Sequence, residues 1–196
     1  MPADHDGVIA AVEALKAGGC IALPTDTVYG VSAALAEPAA VRRLFELKGR
    51  AATKAMAVLV GAPEQAYDLG VFGELANRII DRYWPGPLTV VVRRRSSLQI
   101  DLGGDSATVG IRCPDSSLVA AIVAEVGPIV TTSANPSGAA TIATPVEIAA
   151  AFPNHLALVL DGGTLDGVAS TVVDLTGPGV DILREGPIPT SELLRS

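Results

Sequence analysis

Apolar positions recur along this chain in short blocks, some at helical and some at strand spacing. Val8, Ile9, Val12 and Leu15 repeat as one face of a helix does, and Gly18-Gly19 ends that helix. Cys20 to Leu23 is a short apolar strand closed by Pro24. Pro38 suits the first turn of a helix that carries Val41, Leu44, Phe45 and Lys48. Met56 to Val60 reads as a buried strand. Leu75, Ile79, Ile80 and Tyr83 mark another helix, which runs into the turn Trp84-Pro85-Gly86-Pro87. Leu88 to Val92 and Thr108 to Arg112 are strands, and Asp115 is placed to cap a helix from Ser116 to Glu125. Pro128 to Val130 is a strand that leads into a polar loop. Thr144-Pro145-Val146-Glu147 combines a capping box with proline at the first helical position. Strands at Leu156–Leu160, Thr171–Leu175 and Val180–Leu183 close the chain, with a glycine loop from Asp161 to Gly167 between the first two.

Several strands follow one another without a helix between them, so the sheet must be mixed. No linker, repeat or low-complexity tract interrupts the pattern. The expected architecture is one α/β domain over residues 1–196, α+β-like, built on an open twisted mixed sheet with flanking helices.

Composition sharpens this. Apolar residues make up 49% of the chain but aromatics only 4%, so the core must be aliphatic and alanine-rich. No window approaches the ~18 unbroken apolar residues of a membrane span. The first residues carry acids where a signal peptide carries bases, which predicts a cytoplasmic protein with no membrane association. Cys20 and Cys113 each sit in an apolar stretch and read as buried thiols, not a disulfide. A net charge of −7 opposes general nucleic-acid affinity, which rests on phosphate neutralisation.

Against that acidic background, Lys48, Arg50 and Lys54 place three cations within seven residues. Such a run can clamp a small polyphosphate, or can be the solvated basic end of a helix. Familiar catalytic signatures are missing. There is no G-x-x-x-x-G-K-[ST] loop and no G-x-G-x-x-G, and His5 and His155 fit neither a metal site nor a triad. Polar loops after apolar strands remain: Pro24-Thr25-Asp26-Thr27-Val28-Tyr29-Gly30, and Thr131 through Gly138. Their hydroxyls and amides can line a pocket or cradle phosphate, or can form ordinary turns. Arg112 and Arg184 each end an apolar strand. Each can meet a ligand anion, or pair internally with Asp115 or Glu185. Arg93-Arg94-Arg95 reads as a charged guard against edge pairing, with RNA contact as the alternative.

Taken in order, PTDTVYG, KGR with its following lysine, TVGIRCP, TSANPSG, STVVD and ILREG resemble the YrdC family, the threonylcarbamoyl-AMP synthases. The resemblance runs from about Val8 to Arg184, and the chain is similar to the short form that lacks a second domain. It implies a concave, positively charged sheet face. It also implies a nucleotidyltransferase that combines L-threonine, bicarbonate and ATP and releases pyrophosphate, for threonylcarbamoyladenosine modification of tRNA. Mg²⁺ would be carried on the phosphates, and the product handed to a tRNA threonylcarbamoyl-transferase complex, with weak or no direct tRNA binding. The catalytic set it implies is Lys48, Arg50, Lys54, Ser133 and Asn135. ATP would meet Arg50, Lys54, Thr108, Ser133, Thr141 and Arg184. Threonine would meet Thr27, Arg112, Thr131 and Ser170. Leu59 stands where many relatives carry a polar residue, often histidine. Two other functions compete: an RNA-binding or ribosome-associated module using the same face, and a carbamoyl-transfer domain like that of hydrogenase maturation factors. The scarcity of aromatics for base stacking opposes the first. The want of zinc-binding cysteine clusters opposes the second.

Overall fold

The computed structural model describes residues 1–49, 55–136 and 139–195. Helix α1 (His5–Lys16) starts at Asp4, whose carboxylate accepts from the Gly7 amide. Strands β1 (Ile21–Leu23) and β2 (Gly30–Ala34) follow, then helix α2 (Pro38–Lys48), which Gly49 ends in the left-handed conformation. Next come β3 (Ala57–Leu59), β4 (Gly70–Val71), α3 (Glu74–Tyr83), β5 (Leu88–Arg94) and β6 (Thr108–Arg112). The rest is α4 (Ser117–Val126), β7 (Ile129–Ser133), α5 (Pro145–Ala151), β8 (Leu158–Val159), β9 (Thr171–Asp174), β10 (Asp181–Arg184) and the single turn α6 (Thr190–Leu193).

All ten strands join one mixed sheet, in the order β10-β9-β5-β6-β3-β7-β2-β1-β8, with β4 added beside the end of β5. The β9–β5, β6–β3 and β1–β8 pairs are parallel and the others antiparallel. Alternation divides the side chains between the two faces. On one face Val58, Ile111, Val90 and Val130 pack with Leu44 of α2 and Ile80 of α3. On the other, Leu59 and Ile129 pack with Leu15 of α1 and Ile122 of α4. That second helix pair covers one end of its face only, and the remainder holds the cavity described below.

Four expectations need correction. Strand β2 has no counterpart in the sequence reading, because all five of its residues are buried and show no alternation. Thr131 to Ser133 form the end of β7, paired with β2, and not a loop. The cap of α4 is Ser116, whose hydroxyl accepts from the Val119 amide, not Asp115. The arginine run guards no edge: Arg93 faces Thr108 of β6 on one side and Val71 of β4 on the other. Arg94 donates to the carbonyls of Leu98 and Ile100 and so organises the following loop, while Arg95 donates to that of Tyr67, in the segment before β4.

Both thiols are buried and free, as their apolar settings predicted. Burial, reinforced by Glu64 and Asp26, pushes the Cys113 thiol from 9.0 up to about 11. Burial likewise raises Cys20 and the Tyr29 hydroxyl. The unfolded chain therefore releases these protons at lower pH than the folded one. Stability should hold below about pH 9 and fall as pH rises through about 11, checked by urea midpoints across that range.

Candidate active site

A cavity of about 320 Å³ opens on the uncovered part of the second face. Its floor is one row of residues across adjacent strands. Val91 faces Gly110, Gly110 faces Ala57, and Ala57 faces Thr131. Small side chains at the centre of that row leave the depression. A Cβ built at Gly110 would meet Thr89 at 3.6 Å and Val91 at 3.9 Å, ordinary van der Waals contact, so the floor is low here without being overpacked. The loop before β2 and the segment Ala169–Ser170 form the walls.

One end of the cavity is organised by Arg112, only 5% exposed. Its Nε donates to the Gly86 carbonyl at 3.1 Å and its Nη1 to Thr27 Oγ1 at 2.9 Å. Its Nη2 forms an ion pair with Asp26 at 2.5 Å. The internal partner is thus Asp26 and not Asp115. Burial lowers the Arg112 pKa and the Asp26 carboxylate raises it, but guanidinium stays protonated across the working range. Of its five N–H groups, three have partners here, which leaves two for a ligand among the described residues. Thr27 is itself held by Thr25 at 3.1 Å. Leu59 stands beside Arg112 in register and gives this end an apolar wall.

A second arginine of the lining, Arg184, ends β10, where it faces Val172 of β9, which in turn faces Thr89 of β5. Its Nε and Nη2 reach the Ser170 carbonyl at 3.0 and 2.9 Å, and Nη2 also reaches Ser170 Oγ at 3.2 Å. Ser170 Oγ meets the Thr89 hydroxyl at 2.8 Å. A polar relay therefore runs from β10 through Ser170, just before β9, to β5. Thr108, Thr131 and Ser133 line the same cavity. Thr131 accepts from Ser32 Oγ at 2.9 Å, and Thr108 donates to the Asp105 carbonyl at 3.2 Å.

Seven of the sequence-derived candidates thus converge on one cavity: Thr27, Thr108, Arg112, Thr131, Ser133, Ser170 and Arg184. Lys48 and Asn135 are buried, at 5% and 8% exposure, and lie behind Ser133 instead of in the lining. Thr141 is exposed and also outside the lining. Arg50 and Lys54 lie outside the described residues, as do Ser137 and Gly138 of the TSANPSG motif. Thr89 was missed, because a threonine inside Leu88–Val92 reads simply as a good strand former. Tyr29 was hidden inside its motif. Its hydroxyl donates to the Gly163 carbonyl at 2.8 Å and accepts from the Gly162 amide at 2.9 Å, which ties the glycine loop to the cavity wall.

The family model of the Sua5/YciO/YrdC domain, described as "Telomere recombination", matches residues 13–186. The chain belongs to the Sua5/YciO/YrdC family. A Mycobacterium tuberculosis protein provisionally named threonylcarbamoyl-AMP synthase is 38% identical over 190 residues, covering 95% of this chain and 87% of its own length. The human threonylcarbamoyl-AMP synthase is 38% identical over 186 residues, covering 90% of this chain and 66% of that one. The crystal structure of Pyrococcus abyssi Sua5 complexed with L-threonine superposes with a TM-score of 0.89 at 34% identity, covering 96% of this chain and 56% of that one. This member of the family therefore matches most of the mycobacterial protein but little more than half of Sua5. The fold predicted from the motifs, an open mixed sheet with flanking helices, is the fold of these relatives.

Proposed function

We propose that this protein is a threonylcarbamoyl-AMP synthase, which joins L-threonine, bicarbonate and ATP and releases pyrophosphate. One observation carries the reading. The cavity is lined by two arginines and a series of hydroxyls, with no carboxylate among its described lining residues. Such a lining suits a pair of anionic ligands. The names of the relatives, and the L-threonine bound to Sua5, support it.

Arg112 holds the threonine carboxylate through its two remaining N–H groups, and Thr27, Thr131 and Ser170 frame the rest of the amino acid. Arg184, Thr108 and Ser133 hold the nucleotide, joined by Arg50, Lys54 and Thr141. The threonine amine takes up bicarbonate, losing water, to give an N-carboxylate. One oxygen of that carboxylate bonds to the α-phosphorus as the bond to the bridging oxygen breaks, and pyrophosphate departs. The protein supplies alignment of two anions and offsets their repulsion. Mg²⁺ would be carried on the phosphates and would offset their charge there; among the described residues, no three His, Cys, Asp or Glu gather into a site of their own.

The product serves threonylcarbamoyladenosine formation in tRNA and passes to a threonylcarbamoyl-transferase complex. With a net charge of −7, direct tRNA binding should be weak and fall with salt. No helix among the described residues is long and apolar enough to cross a membrane.

The direct test is pyrophosphate release from ATP with and without L-threonine and bicarbonate. Release indifferent to threonine would sink the reading. Selectivity gives a finer test. Leu59 can tell threonine from serine only by one methyl contact, worth ~1–3 kcal/mol or ~10–200-fold. Serine should therefore support release, with kcat/KM reduced within that range. Valine should do worse, because it leaves a hydroxyl-binding group unpaired. Valine equal to threonine would show that the hydroxyl is not read.

A further inference from the structure

We infer that Lys48 and Asn135 are positioning residues, which form a brace under the end of β7 and act on the nucleotide through Ser133 without touching it. The inference rests on the proposed nucleotide contact of Ser133. Lys48 is the last residue of α2, and its side chain is buried. Its Nζ donates to the Ser133 carbonyl at 2.5 Å, to the Asn135 carbonyl at a shorter distance, and to Asn135 Oδ1 at 3.4 Å. An ammonium is a donor only, and these oxygens are acceptors turned toward it.

Asn135 completes the lock. Its Nδ2 donates to the Pro136 carbonyl at 3.0 Å and the Ala139 carbonyl at 2.6 Å, so one side chain ties these two residues together. The Ala134 amide donates to the Tyr29 carbonyl at 2.9 Å, which fixes the same segment from the β2 side. Residues Ser133 to Asn135 are thereby held on their carbonyl side, while Ser133 also lines the cavity. The arrangement explains why a lysine is required. Its head is a compact point donor on a flexible stem, able to meet oxygens converging from one side. The planar fork of arginine cannot converge in that way. Asparagine is required because it accepts from Lys48 and donates to two carbonyls at once.

Two measurements test the brace. The chain has three lysines, at positions 16, 48 and 54. The wild-type protein is treated with an N-hydroxysuccinimide ester of acetate, with and without ATP, and each site is quantified by mass spectrometry. Lys16, whose side chain is 56% exposed, should react freely in both conditions. Lys48 should react at least ~10-fold more slowly than Lys16 in both, because it must first open locally. A Lys48 that reacts as fast as Lys16 and is shielded by ATP would make it a ligand contact and overturn the inference. The second measurement is kinetic. Lys48→Met and Asn135→Ala should each lower kcat by ~100-fold, with the KM for threonine nearly unchanged, because a small displacement of Ser133 misaligns the nucleotide. The double variant should be no worse than the poorer single one, and Lys48→Arg should not rescue. Independent, multiplying losses, or full rescue by arginine, would overturn it. Lys54 keeps the two readings apart. If ATP does not shield Lys54, the nucleotide assignment fails while the result at Lys48 stands on its own.

Discussion

Lysine in place of Arg112 should raise the KM for threonine by ~10- to 100-fold while the KM for ATP stays nearly unchanged. The magnitude follows from losing one hydrogen bond to a charged group, worth ~1.5–3 kcal/mol. Lysine keeps the charge beside Asp26 but cannot reach Gly86, Thr27 and a substrate carboxylate together, since it lacks the planar fork. Alanine at this position should cost stability as well. Removing one member of a buried pair costs ~3–5 kcal/mol, and here less, because the Asp26 side chain is 13% exposed and water can relieve it. Steady-state pyrophosphate release with each substrate varied in turn, together with the melting temperature, separates the two effects. Equal rises in both KM values would mean that Arg112 supports the whole cavity and does not hold the amino acid.

Valine at Gly110 should lower turnover by ~100-fold or more and leave the melting temperature nearly unchanged. The two expectations have different sources. Valine suits a strand, and the first added carbon meets only ordinary van der Waals contacts at 3.6 Å and beyond. The fold therefore has no reason to object. The added branches project from the centre of the floor, between Val91 and Ala57, where the ligands must lie close to the sheet. A displacement of about 1 Å there is enough for a loss of ~10²-fold. Alanine at the same position should be intermediate. If the valine variant melts early and keeps its turnover when folded, the floor is packing surface and the ligands sit elsewhere.

The sequence showed most of the elements and most of the cavity, for different reasons. Helices α1, α2 and α3 carry their apolar residues on one face, so spacing alone revealed them. Arg112 and Arg184 stood out because a cation ending an apolar strand is chemically conspicuous. The six ordered motifs then joined residues from Thr27 to Ser170 into a single site, which no spacing argument could do, since their proximity depends on strand order. Strand β2 escaped because a strand buried on both faces shows no alternation. Thr89 escaped because threonine is as much a strand former as a ligand contact. Asp26 sat inside a recognised motif, but nothing in the chain said that it would pair with Arg112, which lies 86 positions away. Lys48 was visible as part of a basic run, and the run gave no hint that its first cation turns inward.

The segments that meet at the cavity are far apart in the chain: Thr27, Thr89, Arg112, Thr131 and Ser170 come from five separate stretches. No fragment that lacks one of the central strands can contain a complete version of it. Binding energy is therefore available only to the completed sheet, and ligand occupancy acts on the global folding equilibrium rather than on any local unit. Substrate at one hundred times its Kd would deepen that equilibrium by ~2.7 kcal/mol. In a cell rich in threonine and ATP, the enzyme at work would then be harder to unfold, and slower to be degraded, than the same chain left idle.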